Sequence, residues 1–195
     1  MRKLIAALNT SLDGFIEGPN GEQDWVKHED EHVWNTMNEM LDSVDTYVLG
    51  RVMYPEYEQY WTAVLANPTS VTPLTGRAPS KHEINFARRA SKTPHVVVSK
   101  TLDEVAWENT RIVRDIDEIR KLKQQSGKDI YVVGGATLVS SLMNAGLVDE
   151  LRLLVNPIVL GRGKSLFKDV TAPHKLELVR AKPLKSGQVS MTYSV

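Results

Sequence analysis

Three short stretches place glycines, free backbone N–H groups and a cation where a strand should end. The first is Asp129-Ile130-Tyr131-Val132-Val133-Gly134-Gly135-Ala136-Thr137-Leu138. Its unbroken apolar run from Ile130 to Val133 suits a strand covered on both faces. After the glycine pair, Leu138, Val139, Leu142 and Met143 recur at helical spacing, and Gly146 closes the helix. A strand feeding a helix through Gly-Gly is a natural anion seat. The N–H groups and the helix dipole aim at one spot, and the missing side chains let a phosphate come close. The same turn also reads as nothing more than a tight connection. Gly50-Arg51 ends the strand Thr46 to Leu49 and opens a helix through Tyr54, Tyr57, Tyr60 and Trp61. Ser99-Lys100-Thr101 ends the strand His95 to Val98. Ligands of open sheets gather outside the carboxyl ends of strands. Gly134 and Gly135 would then hold a pyrophosphate, with Arg51 and Lys100 supplying fixed positive charge. The spacing is not G-x-G-x-x-G and falls late in the chain, which excludes an ordinary Rossmann domain.

Other patterns carry less. His28-Glu29-Asp30-Glu31-His32 satisfies the zinc-protease pattern H-E-x-x-H. The helix start is crowded with acids and no third ligand follows, so a solvated N-terminus whose acids suit the dipole is the better account. Gly163-Lys164-Ser165 imitates the end of a P-loop, but Ile158 stands where the pattern demands glycine. Lys164 remains available to an anionic substrate at the sheet edge. No G-x-S-x-G elbow supports a hydrolase triad. Trp34, Trp61 and Trp107 read as packing residues.

The elements that must position these residues follow from the rest of the chain. The 195 residues suit one domain, residues 1–195, with a surface insertion at about 66–80, where Pro, Ser, Thr and Gly concentrate. Lys+Arg and Asp+Glu balance at 24 each, so no global field draws the chain to nucleic acid or an anionic membrane. No apolar run is long enough to span a bilayer. The basic start Met1-Arg2-Lys3 is followed by an apolar segment cut short at Asn9-Thr10-Ser11 and Asp13, which is not a signal peptide. The absence of cysteine excludes disulfides, thiol nucleophiles and zinc-thiolate sites, and fits a cytoplasmic protein. Strands are expected at Lys3 to Leu8, Val105 to Trp107, Arg111 to Val113 and Leu151 to Val155. Helices are expected from about Glu29 to Leu41, over His82 to Ala90, and after an acidic capping box at Asp115 and Glu118. A hairpin pairing Lys175 to Ala181 with Val189 to Val195 closes the chain. The alternation predicts an α/β domain with a mostly parallel sheet and an antiparallel C-terminal edge.

Six blocks, in order, resemble one family: Ser11 to Ile16, Leu49 to Tyr54, Val97 to Leu102, Val132 to Leu138, Gly146 to Leu151 and Pro157 to Gly161. The chain resembles the dihydrofolate-reductase-like proteins, and within them the reductase domain at the carboxyl end of the bifunctional riboflavin-biosynthesis protein. The stretch Leu4 to Leu8, with Trp25 beyond it, is also similar to dihydrofolate reductase itself. The resemblance implies a three-layer α/β/α fold and NADPH as hydride donor. It places Gly134, Gly135, Ala136, Thr137 and Leu138 at the pyrophosphate and Gly50, Arg51, Val52 and Met53 on the phosphates. Ser99 and Lys100 would lie near the adenosine 2′-phosphate, and the backbone of Ala7 beside the nicotinamide. Met53 departs from the family's common Thr, so a side-chain phosphate contact is lost. The acid that orients the pterin falls at Asp30, flanked by Glu29 and Glu31. Asp30 or Asp13 would place the substrate or steer a proton, and Trp25 would border the substrate cleft. The family's Gly-Gly bond is often cis, a costly geometry that would be diagnostic. These implications amount to a reductase of the 5-amino-6-(5-phosphoribosylamino)uracil type, acting on an aminopyrimidine or pterin-like small molecule. A homodimer is expected, with apolar strands such as Leu151 to Val155 as interface candidates. No deaminase zinc motif is present. The alternatives are dihydrofolate reductase activity, a nucleotide-binding protein without turnover, and, remotely, a zinc peptidase.

Overall fold

A computed structural model of the chain describes residues 1–26, 31–72 and 75–195. Among these, the strands are β1 (Leu4–Thr10), β2 (Phe15–Glu17), β3 (Val44–Gly50), β4 (His95–Val98), β5 (Thr110–Val113), β6 (Asp129–Gly134), β7 (Glu150–Val155), β8 (Lys164–Ser165), β9 (Glu177–Pro183) and β10 (Val189–Ser194). The helices are α1 (Glu31–Asp42), α2 (Tyr54–Ala66), α3 (Lys81–Ala90), α4 (Asp117–Gln124) and α5 (Ala136–Asn144). The main sheet has the order β5-β4-β3-β6-β1-β7-β10-β9. Its first six strands run parallel, and the C-terminal hairpin adds β10 antiparallel to β7 and β9 antiparallel to β10.

Strand alternation divides the core between two faces. Leu4, Ala6, Val48, Val96, Ile130, Val132 and Leu151 pack with α4 and α5. Ile5, Tyr47, Leu49, Val97 and Tyr131 pack with α1, α2 and α3. The result is the expected α/β/α sandwich. Because the central strands are parallel, their carboxyl ends share one rim. At the opposite rim the charges are occupied by structure. Arg2, buried, pairs with Asp45 and donates to Thr46 Oγ1 at 2.7 Å. Lys123, also buried, meets the Asp149 carboxylate at 2.5 Å.

Several local expectations shift. Val105 to Trp107 forms no strand. Trp107 instead donates to Thr62 Oγ1 at 2.9 Å and packs edge-on to His95. The acidic capping box at Asp115 and Glu118 is replaced by a simpler turn. Asp115 Oδ1 accepts from the Asp117 N–H at 2.9 Å, while Glu118 is drawn to Lys121. A full capping box forms at α3, between Ser80 and Glu83. The described part of the 66–80 stretch is tied down there, since Arg77 meets Glu83 at 2.8 Å and Thr72 is buried. Ile158 to Leu160 is loop, and β8 beyond it pairs with β2. Leu151 to Val155 lies inside the sheet, hydrogen-bonded to β1 and β10, so its backbone edges are not open to a second molecule. No described helix is long and apolar enough to cross a membrane.

His95 gives the fold an acid-sensitive point. It is 1% exposed among Tyr47, Tyr57 and Trp107, with Nε2 3.3 Å from the Tyr57 hydroxyl. Burial pulls its pKa from 6.5 down to about 4. The folded protein keeps this imidazole neutral while the unfolded chain protonates it, so stability falls as pH drops between those values. Glu83 acts lower. It is buried, but the Arg77 guanidinium and the Ser80 N–H hold its carboxyl down to about 2, so its contribution is lost from about 4.5 downward. Urea denaturation of His95→Gln and the wild type across pH 7 to 4 checks the first effect. The variant's stability should decline less steeply between 6.5 and 4, and parallel declines would refute the assignment.

Candidate functional site

The three stretches singled out in the sequence meet at the carboxyl rim. Leu49 pairs with Gly134, and Gly50 pairs with Val98, so β6, β3 and β4 end side by side. The contact is close: a Cβ on Gly50 would lie 3.5 Å from Leu138 Cβ and 3.9 Å from the Gly134 carbonyl oxygen. This packing sets α2 and α5 on opposite faces of the sheet, with both N-termini at this rim. Neither terminus is capped by a side chain. The first turn of α5 therefore keeps its N–H groups and dipole for an anion, whereas the first turn of α2 holds Pro55, which has no N–H, and the acid Glu56.

The glycine pair leaves room beside its backbone at Gly135. The Gly134–Gly135 peptide is cis. Gly134 has φ +135°, and a Cβ there would press on Met53 Sδ at 3.4 Å. Gly135, the N-cap of α5, has open space where a Cβ would stand. Ala136 and Leu138 are buried, while Thr137 between them is exposed. On the α2 side, Arg51 and Val52 are exposed in the turn before the helix, and Met53 leans toward Gly134. At the end of β4, Ser99 is buried and its Oγ accepts from the N–H groups of Thr101 and Leu102 at 3.1 and 2.8 Å. That hydroxyl shapes the turn, and Lys100 projects from it exposed. Neither Arg51 nor Lys100 has an ion-pair partner among the described residues.

Ala7 lies on the helical face shared by α1 and α2, half-buried, in register with Arg152 of β7. Trp25 is half-buried in a separate turn, where its indole donates to the Glu22 carbonyl at 3.1 Å. Asp30 lies outside the described residues, as do His28 and Glu29 of the H-E-x-x-H pattern. Among the described residues no cluster of His, Asp or Glu could hold a metal.

Asp13 is engaged by three donors. A proton-transferring carboxylate near neutrality needs a raised pKa. Asp13 accepts from Ser11 Oγ at 2.7 Å, from the Gly161 N–H at 2.7 Å and from the Leu160 N–H at 3.1 Å. The Ser11 bond first, then these N–H groups, hold its carboxyl down to about 2. Its role is to clasp the turn after β1 to the 158–161 loop. Lys164 is similarly engaged, 3.2 Å from the Glu17 carboxylate.

Two cations escaped the sequence reading. Arg114, just past β5, donates to the carbonyls of Ser99 and Leu102 at 3.1 and 2.6 Å and so braces the turn that carries Lys100. Its signal was position alone, one residue beyond a strand on the same rim. Arg152 was hidden in a strand read as apolar. The alternation Glu150-Leu151-Arg152-Leu153 did mark a half-open face.

A mostly parallel sheet of this order, covered by helices on both faces, defines a dihydrofolate-reductase-like fold. The solved structures agree. A Shewanella sp. PV-4 protein ascribed to riboflavin biosynthesis superposes with TM-score 0.72 at 20% identity, covering 98% of both chains. Enterococcus faecalis dihydrofolate reductase complexed with NADP(H) gives 0.61 at 18%, covering 98% of this chain and 95% of that one. The Thermotoga maritima diaminohydroxyphosphoribosylaminopyrimidine deaminase/5-amino-6-(5-phosphoribosylamino)uracil reductase gives 0.62 at 16%, with 99% of this chain spanning 56% of that one. Within this class the chain belongs to the RibD C-terminal domain family, whose profile matches residues 2–190. The uncharacterised protein YyaP of Bacillus subtilis (strain 168) is 34% identical over 192 residues, covering 98% of this chain and 94% of that protein.

The two glycines should respond differently to a methyl group. Gly134→Ala forces a side chain into a positive-φ conformation against Met53, and should cost about 1–3 kcal/mol. Gly135→Ala meets open space and should cost less than about 1 kcal/mol. Chemical denaturation measures both, and equal losses would refute the described seat.

Proposed function

We propose that the chain is a reductase using NADPH to deliver hydride to a C=N-type carbon of an aminopyrimidine or pterin-like substrate. The observation that carries this reading is the pair of helix N-termini without side-chain caps meeting across Gly50 and Gly134, flanked by Arg51 and Lys100, which have no ion-pair partner among the described residues. The open space at Gly135 fits a pyrophosphate better than a closed structural turn would. In this assignment Gly134 to Leu138 hold the pyrophosphate and Gly50 to Met53 bind phosphate through backbone and the Arg51 charge. Lys100, on the turn braced by Ser99 and Arg114, reads the 2′-phosphate. The backbone of Ala7 lies beside the nicotinamide. Membership of the RibD C-terminal domain family supports the substrate class, and the NADP(H) named for the Enterococcus enzyme supports the cofactor.

When bound, the cofactor supplies the hydride. The chain contributes orientation and charge placement. Asp30 is the proposed group for orienting the substrate, with Trp25 bordering the cleft. Met53 places a thioether beside Gly134 where the family commonly has a hydroxyl, which favours a weaker phosphate grip on that side.

Thermal shift with NADPH, NADH and neither is the test. At a hundred-fold excess over Kd, NADPH should raise the melting temperature by about 5–10 °C. NADH should do less. In Lys100→Ala that difference should shrink, and Gly135→Ala should weaken both shifts without unfolding the protein. Equal shifts with the two cofactors in the wild type would remove the 2′-phosphate assignment, and no shift would remove the cofactor. Binding without NADPH oxidation on any aminopyrimidine or dihydropterin would instead identify a nucleotide-binding protein of the same fold.

A further inference from the structure

The sheet face that carries Ala7 continues as a row of polar side chains. Ala7 is in register with Arg152 of β7, Arg152 with Thr192 of β10, and Thr192 with Arg180 of β9. Residues paired across strands share a face. On this face the apolar core under α1, α2 and α3 ends at β1, and no described residue of β7, β9 or β10 joins it. The other face of the same strands is apolar, with Leu151, Leu153 and Tyr193 in the core beneath α5. A face without a helix over it is expected to be polar, and an exposed cation such as Arg180 needs no ligand. Arg152 differs. Its side chain is 28% exposed, and its Nε donates to Glu150 Oε1 at 2.5 Å. Glu150, half-buried, has its other oxygen 3.8 Å from the Lys3 ammonium. Both Nη groups of Arg152 are without a hydrogen-bond partner among the described residues. A guanidinium held by its Nε presents the rest of its planar fork in a fixed direction, the form that grips a carboxylate or phosphate through parallel bonds.

We propose that Arg152 determines substrate specificity by binding an oxyanion, carboxylate or phosphate, that the substrate carries. This deepens the reductase reading above and rests on it. The strand order separates this cation from those assigned to the cofactor. Arg51 and Lys100 follow β3 and β4, on one side of β1, whereas Arg152 stands on β7, on the other side. Adjacent strands lie about 4.8 Å apart, so an anion on Arg152 stands one strand over from Ala7, where the nicotinamide is assigned. Thr192, half-buried beside Arg152, adds a hydroxyl to the same row. Lys182, half-buried in the next row with Ser190, adds positive charge on the same face. Glu150 is the positioning residue, since its carboxylate fixes the Nε edge and leaves the fork free.

Calorimetric titration of the NADPH-saturated chain with two pairs of probes tests this. Orotate against uracil reads a carboxylate, and uridine 5′-monophosphate against uridine reads a phosphate. In at least one pair the wild type should bind the anion roughly tenfold tighter than its neutral parent, and the pair that responds identifies the anion. In Arg152→Gln that advantage should vanish while the neutral probe binds as before. Arg152→Lys keeps the charge without the fork and should recover only part of it. The NADPH thermal shift should be the same in all three proteins, and circular dichroism checks that the variants are folded. A wild type that prefers neither anion, binding of no probe included, overturns the proposal. So does a preference that survives in Arg152→Gln. An absent NADPH shift in the wild type strikes the reductase reading instead, and the same titrations without cofactor then decide whether Arg152 binds the anion.

Discussion

Everything at the carboxyl rim depends on how near Gly50 comes to the start of α5. With Leu138 Cβ 3.5 Å from where a Gly50 side chain would begin, β3 and β6 finish at one level, and the helices they launch start there too. Those helices lie on opposite faces of the sheet, so their dipoles converge on the rim from above and below. A methyl group at position 50 would sit in ordinary contact with Leu138, and a longer side chain would have to find room beside it.

The charge layout follows the same division. At the amino rim Arg2 with Asp45, and Lys123 with Asp149, are buried and paired, which holds strand starts together. At the carboxyl rim Arg51 and Lys100 are exposed and lack ion-pair partners among the described residues. Ser99 and Arg114 spend their hydrogen bonds on the backbone that presents Lys100. Asp13, with a carboxyl fixed by three donors, belongs to the loops that flank this rim.

Much of this was legible in the sequence because backbone chemistry has a short-range signature. Ile130 to Val133 followed by Gly-Gly and a helical repeat could hardly fold otherwise, and the element order gave the parallel sheet. The failures are those of side chains whose roles depend on distant partners. Two of the three donors to Asp13 lie nearly 150 residues away, at Leu160 and Gly161, and only Ser11 is local. Arg152 was lost in an apolar run, and Trp107 was read as strand because an aromatic docked against Thr62 and His95 has the same composition as one in a ladder. The edge character of β9 needed the strand order, which no local pattern carries.

The central claim is that separate backbone segments act as one anion-binding rim. Backbone amide NMR during an NADPH titration tests it most directly. The N–H signals of Gly135 to Leu138, Arg51 to Tyr54 and Lys100 to Leu102 should shift together, along one saturation curve. Shifts confined to a single segment, or to residues at the amino rim, would contradict the account.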